Sequence, residues 1–268
     1  MNYEVALICS TTDTASLNIA KNLLDLVNWD DTGAFKTFKN FRLIIQDKGL
    51  LTLNSLDEYL QSLDLNPKMA VFASRHQSAK KIPWLGGHFT GEFDARNYRL
   101  SVAAPAGLRS FLLNIKKTAP PGYQISAEAT HHGPSTVILP SFFAEIGSCE
   151  EQWSDPKAGE VVARAILDLD CHALPVFIGF GGGHYMQRQT NLMLETNIAF
   201  GHMFSNYQIN HIDQKLMKQA RSKSGSDYAY IDRKSLKAEE RNKLAAILDE
   251  IDLPLLRSKE IRARFPLA

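Results

Sequence analysis

Short unbroken apolar runs alternate along this chain with stretches whose apolar residues recur every three or four positions, a pattern of strands and helices. Tyr3–Cys9 reads as a buried strand, and Thr11-Thr12-Asp13 can cap a helix over Ala15–Val27. Phe41–Gln46 is a strand, and Ser55-Leu56-Asp57-Glu58 fits a capping box opening a short helix through Leu63. Met69–Ala73 is a short buried strand, whereas Ser74 to Asn97, rich in glycine, histidine and charge, reads as loop. Leu100–Ala104 is extended, and Pro105 suits the first turn of a helix running to Lys117. Tyr123–Thr130 is a strand stopped by His131-His132-Gly133-Pro134, and Phe142–Ile146 is an apolar run stopped by Gly147. Asp155-Pro156 opens a helix over Ala158–Leu169, and Pro175–Phe180 is a strand ending in Gly181-Gly182-Gly183. Asn191–Glu195, Gln214–Arg221 and Lys237–Ile251 have helical character, and Tyr228–Ile231 is extended. Strands alternating with helices predict an α/β fold, with a mixed, largely parallel sheet flanked by helices. A soft boundary at Arg221–Asp227 divides a single domain, 1–268, into a core of 1–221 and a basic C-terminal segment of 222–268.

Composition changes this picture little. Hydrophobic residues are 44% and charged residues 22% of 268, ordinary for a globular protein. No window approaches the roughly 18 uninterrupted apolar residues of a membrane span, and the start Met1-Asn2-Tyr3-Glu4 lacks the basic region of a signal peptide. Cys9, Cys149 and Cys171 are odd in number and far apart, so the expectation is a reducing cytoplasm without disulfides. The net charge of +1 hides an asymmetry, since Gln214–Arg264 carries thirteen Lys/Arg against eight Asp/Glu. That surplus is either a solvated helical surface or a face that tracks phosphates.

The unusual residues cluster at strand ends. Met69–Ala73 runs into Ser74-Arg75-His76; Tyr123–Thr130 carries Glu128 and runs into His131-His132; Phe142–Ile146 carries Glu145; Pro175–Phe180 runs into Gly181-Gly182-Gly183-His184. In open α/β sheets the C-terminal edge of the strands is where ligands bind. Glu128 and His132, four apart, share a face if the strand stays extended, and a carboxylate with an imidazole can bind zinc or exchange protons. The glycine run is not a dinucleotide fingerprint, because His184 stands where glycine is needed, and no Walker A loop or Gly-x-Ser-x-Gly elbow occurs. Such glycines otherwise make a tight turn, or let backbone amides approach an acyl or phosphate group. Cys171-His172, His202 and His211 read as packing or surface, while His76 and His88 stay open between solvated and functional roles.

Several motifs occur in order: Ser74-Arg75-His76, His88-Phe89-Thr90-Gly91, Glu128-Ala129-Thr130-His131-His132-Gly133-Pro134, Pro140 to Ser148, Glu151-Gln152-Trp153, Gly181-Gly182-Gly183-His184-Tyr185 and Ala199-Phe200-Gly201-His202. Together they resemble the archaeal and plant type of D-aminoacyl-tRNA deacylase, over roughly residues 3 to 210. The resemblance implies a phosphorylase/hydrolase-like fold similar to peptidyl-tRNA hydrolase, dependence on zinc, and hydrolysis of the ester joining a D-amino acid to tRNA. Glu92, Ser135 and Cys149 depart from it, standing where Asn, Thr and Ser are expected.

On this reading His132, Glu128 and His184 form the zinc or proton-transfer shell, with Glu145 as general base or further ligand and His131 beside them. Arg75, His76, His88, Thr90 and the amides of Gly181, Gly182 and Gly183 are expected to contact substrate, and Arg75, Lys80, Lys81 and the basic C-terminal residues to hold tRNA. The expected partner is D-aminoacylated tRNA, with neither membrane nor DNA, and the expected state is a monomer. Rival readings are a zinc exopeptidase or amidohydrolase, a peptidyl-tRNA hydrolase, and a non-catalytic RNA-binding module.

Overall fold

In a computed structural model, residues 3–94 and 97–267 are described; Met1, Asn2, Ala95, Arg96 and Ala268, which the readings of the N-terminus, of the Ser74–Asn97 loop and of the 222–268 segment touched, lie outside them. The first half of the chain forms β1 (Val5–Ser10), α1 (Thr14–Leu26), β2 (Asp30–Asp31), β3 (Lys36–Phe38), β4 (Phe41–Gln46), α2 (Leu56–Ser62), β5 (Met69–Gln77), β6 (Trp84–His88), β7 (Gly91–Asp94), β8 (Asn97–Leu100), α3 (Pro105–Thr118) and β9 (Gln124–Ala127). The second half forms β10 (Ser141–Ser148), α4 (Glu150–Trp153), α5 (Pro156–Leu167), β11 (Val176–Phe180), α6 (Gln187–Glu195), β12 (Ala199–Phe204), α7 (Gln214–Ser224), β13 (Tyr228–Ile231), α8 (Ala238–Glu250) and α9 (Ser258–Arg264).

Eight strands make one mixed sheet in the order β2-β3-β4-β1-β5-β10-β6-β9. Its centre, β4-β1-β5-β10, is parallel. β6 then runs antiparallel to β10, and β9 parallel to β6, so β9 opposes the central strands. A second, parallel sheet has the order β12-β11-β13. The largely parallel main sheet flanked by helices agrees with the expected fold class.

Period-two alternation gives each strand two different faces. Val5, Leu7 and Cys9, Val71 and Ala73, and Phe142, Ala144 and Ile146 point into a core closed by α1, α3 and α5. Ala6, Ile8, Ala70, Phe72 and Phe143 point the other way, under Leu50 and Leu53 of the β4–α2 connection and Leu56 and Leu60 of α2. The smaller sheet packs Ile178, Phe180 and Ile231 against Leu216 and Met217 of α7 and Leu244 and Leu248 of α8.

Several elements differ from expectation. Ser74–Asn97 is mostly strand: β5 continues to Gln77, and β6 and β7 follow. Glycine misled the reading, because Gly86 and Gly87 are close-packing positions rather than turns. A Cβ on Gly86 would lie 1.9 Å from Ser126 O, and one on Gly87 2.1 Å from Phe143 O. Ser55 caps α2 with no side-chain bond. Asp57 of the expected capping box instead accepts from the amides of Ile138 and Leu139, at 3.0 and 2.9 Å. Leu100–Ala104 is not one strand, since β8 ends at Leu100 and Ala103 makes only an isolated bridge to Ser141. β12, β3 and α9 carried no recognised signal.

The C-terminal segment is woven into the body. β13 pairs with β11, and Ile261 of α9 is fully buried in the main core.

Candidate active site

The alternation that builds the core also builds a polar site on the same sheet face as Phe72 and Phe143. Along β5 that face carries Phe72, Ser74 and His76, and in register along β10 it carries Phe143, Glu145 and Gly147. Along β6, antiparallel to β10, the matching positions are His88, Gly86 and Trp84. On β9 Ser126 pairs with Gly86, and two residues on Glu128 donates its amide to Gly87 O at 3.0 Å. The apolar floor therefore turns into a cluster of His76, His88, Glu128 and Glu145 over the β5-β10-β6-β9 half of the sheet. Because β9 opposes β10, and β11 belongs to the smaller sheet, the four strand ends do not share one C-terminal edge; the residues meet over a face instead.

Glu128 is the hub, fully buried. Its Oε1 stands 3.2 Å from His76 Nδ1 and 3.1 Å from His184 Nε2, and its Oε2 3.9 Å from His131 Nε2. Glu145 Oε2 lies 3.6 Å from His88 Nε2 and 4.0 Å from His76 Nδ1. Burial pushes the Glu128 carboxyl up, but His184 and His76 outweigh it and hold the group ionised, well below the usual carboxylate range. Glu145 is driven the other way, well above that range, by burial and by the charge of Glu128. Two carboxylates this close share one proton, and Glu145 carries it.

Three further imidazoles are set differently. Nδ1 of His88 donates to Phe89 O at 3.0 Å, that of His131 to Ala129 O at 2.8 Å, and that of His132 to Gly133 O at 2.7 Å. A carbonyl only accepts, so each Nδ1 holds the hydrogen and each Nε2 keeps its lone pair. Burial is the main cause that lowers these three pKa values, to about 4, about 3 and about 2. All three rings are therefore neutral at pH 7. Ligand atoms of His88, His131 and His132 fall within 4.8 Å of one another, as do those of His76, Glu128 and His184, and those of His88, Glu128 and Glu145. Buried His88 Nε2 and both Glu128 oxygens lack an aligned hydrogen-bond partner.

The expected zinc set of His132, Glu128 and His184 is not one of these groups. The chain turns at His132, where φ is +36°, so the extended strand that would have put Glu128 and His132 on one face ends before it. His132 joins His88 and His131, while Glu128 and His184 join His76. Thr90 is buried, and its hydroxyl is committed to Pro134 O at 2.6 Å and Ser101 Oγ at 2.7 Å. Of the glycine amides, Gly181 donates to Phe204 O, and Gly182 to Asn206 Oδ1 and Ser235 Oγ, so both are spent inside the protein. Gly183 is exposed, and a Cβ there would meet nothing within 4 Å. Arg75 lies at the mouth, its guanidinium 5.1 Å above the Trp153 ring.

Sequence reasoning gave no role to three residues here. Tyr185 places its hydroxyl 3.0 Å from His76 Nε2. Trp84 lies 4.8 Å from the His76 ring and donates from Nε1 to Ser126 Oγ. Asp13, read only as a helix cap, also accepts from the Arg75 amide at 3.1 Å and from Ser74 Oγ at 3.3 Å. The alternation Trp84-Gly86-His88 was the available signal for Trp84, hidden because a bare glycine interrupts it. Glu92 and Ser135, two of the departures from the family pattern, contact each other at 2.5 Å. The cluster opens into a cavity of about 410 Å³, lined also by Thr12, Asp13, Leu50 and Leu51.

Known proteins resemble this chain over nearly its whole length. The family model described as D-aminoacyl-tRNA deacylase matches residues 63–256. A D-aminoacyl-tRNA deacylase of Methanothrix thermoacetophila is 44% identical over 97% of this chain and 99% of its own length. One of Methanosarcina mazei is 40% identical over 99% of this chain and 96% of its own. A crystal structure of a conserved protein of unknown function superposes with a TM-score of 0.91 at 32% identity, covering all of both chains. This chain belongs to the D-aminoacyl-tRNA deacylase family.

Proposed function

We propose that this chain hydrolyses the ester bond of D-aminoacyl-tRNA to free tRNA and D-amino acid, at a zinc centre held by His88, His131 and His132 with Glu128 beside them. One observation carries the metal reading: three neutral imidazoles, each with Nδ1 tied to a backbone carbonyl and Nε2 left with a free lone pair, bring ligand atoms within 4.8 Å of one another. That tether is the outer-shell device that fixes the ring of a metal-binding histidine. Three imidazoles beside a carboxylate suit zinc, which takes nitrogen and oxygen ligands. Bound there, zinc supplies Lewis acidity, enough to bring the pKa of water to about 7.

The remaining residues divide the proton work. Glu145, protonated and on the cavity wall, is placed to give the hydrogen that the leaving ribose oxygen needs. His184, its imidazole 42% exposed, sits between Glu128 and solvent and can pass protons outward. His76 is fixed between Glu128 and Tyr185. Gly183 offers the one amide of the turn left for the carbonyl oxygen. Selection for the D isomer is steric in this reading, set by Leu50 and Leu51 on one wall and His131 and His132 on another.

Arg75, Lys80, Lys81 and the basic C-terminal surface hold the tRNA, in a fold akin to peptidyl-tRNA hydrolase. In this reading the enzyme acts as a monomer, and in the cytoplasm, where its substrate is made. No helix among the described residues is long and apolar enough to cross a membrane. The test is deacylation of matched D- and L-tyrosyl-tRNA with and without chelator, with zinc measured on the same protein. Release from the D substrate alone, lost on chelation and restored by zinc, is expected. Equal rates on both isomers, or full activity without metal, would overturn the reading.

A further inference from the structure

Tyr207 is the most exposed large hydrophobic residue among those described, at 81%. It does not sit on a loose loop. It belongs to a 3-10 turn, Asn206–His211, whose start is pinned to the glycine turn beside the site. The Asn206 amide donates to Gly182 O at 2.9 Å, and its side chain accepts from Gly182 N at 2.9 Å. One residue beyond Tyr207, Gln208 Nε2 donates to Thr130 O at 2.7 Å, next to His131. Tyr207 is thus held between two anchors, each within two residues of a site histidine, a span of about 7 Å of backbone.

The same glycine is reached from a third side. Ser235 Oγ accepts from Gly182 N at 2.8 Å, and the two residues before it are the exposed cations Arg233 and Lys234. Neither forms a salt bridge among the described residues, whereas the neighbouring Asp232 is paired with Arg188 at 3.2 Å. A bare aromatic side chain on an anchored turn and two cations without a salt bridge among the described residues therefore flank one turn at the edge of the cluster. An aromatic platform beside positive charge is how single-stranded nucleic acid is held without reading its sequence.

We propose that Tyr207 stacks a base of the single-stranded acceptor end of tRNA, just ahead of the terminal adenosine, while Arg233 and Lys234 contact its phosphates. The proposal rests on the reading of charged tRNA as substrate and adds the path by which the strand leaves the cavity. Tyr207→Ala should raise KM for D-tyrosyl-tRNA by about 5- to 150-fold, the range expected for one lost base stack, with a much smaller change in kcat. Tyr207→Phe and Tyr207→Trp should retain the wild-type KM. The ratio of kcat/KM on D-tyrosyl-tRNA to that on D-tyrosyl-adenosine, which lacks the preceding nucleotides, should fall by the same factor in Tyr207→Ala. The double variant Arg233→Ala/Lys234→Ala should reduce the slope of log KM against log salt by about 1.4, for two single-strand phosphates.

A wild-type KM in Tyr207→Ala would overturn the proposal. So would an equal loss on both substrates, which would make Tyr207 a support of the fold. Wild-type protein inactive on both substrates would instead remove the deacylase reading, and this proposal with it.

Discussion

His88 is fully buried, spends Nδ1 on a neighbouring carbonyl and leaves Nε2 without a hydrogen-bond partner, 3.6 Å from Glu145. A buried ring nitrogen left unpaired in this way is costly unless its lone pair has work to do. His88→Ala should therefore lose zinc, with metal per chain falling at least tenfold, and with it nearly all deacylation. Retention of a full equivalent of zinc would remove His88 from the centre. Glu145→Gln keeps the shape and removes the proton, and should lower kcat by about 10²- to 10⁴-fold with KM little changed. An unaltered kcat would take Glu145 out of the proton path. At this scale the sequence was informative about identity and poor about partners. The residues with chemistry stood out by type, but their sorting depended on φ at His132 and on which ring nitrogen met a carbonyl, and neither leaves a mark on residue spacing.

Elements were legible where pattern and packing agree. α1, β4, α3 and β13 lie within a residue or so of their expected bounds, since a helical apolar stripe or an unbroken apolar run admits one reading. β6 was lost because its glycines speak for turns when taken alone, yet Gly86 is bare so that Trp84 can lean across it toward His76 and Tyr185. A methyl on Gly86 would lie 2.3 Å from the Trp84 ring as well as 1.9 Å from Ser126 O. Gly86→Ala should destabilise the fold by about 1–3 kcal/mol or more, measured as a lower urea midpoint at unchanged slope. A wild-type midpoint would show that β6 and β9 can move apart, which this packing forbids.

For the whole molecule, acid stability is set partly by a histidine away from the cluster. His202 is buried, accepts from the Thr130 hydroxyl at Nδ1 and donates from Nε2 to Ser101 O, each at 3.0 Å. Every hydrogen bond of the neutral ring is made. Burial pushes its pKa down to about 4, so the folded protein refuses a proton that the unfolded chain takes below about 6.5. Between those values the unfolded state binds more protons, so stability rises with pH across the window and is level above it. The urea midpoint should fall from pH 7 to pH 4.5, and His202→Gln, less stable overall, should show a shallower fall. An identical slope in the variant would assign the acid sensitivity to other groups.

The way the end of the chain is woven in has a consequence for synthesis. β13 completes the smaller sheet beside β11, and Ser235 holds the amide of Gly182 next to the cavity. A nascent polypeptide that has left the ribosome only as far as α7 owns every histidine of the cluster, yet lacks the strand and hydroxyl that set the turn before His184. Chains that end before β13 should therefore hold the turn before His184 through Asn206 alone and deacylate more slowly than the finished protein.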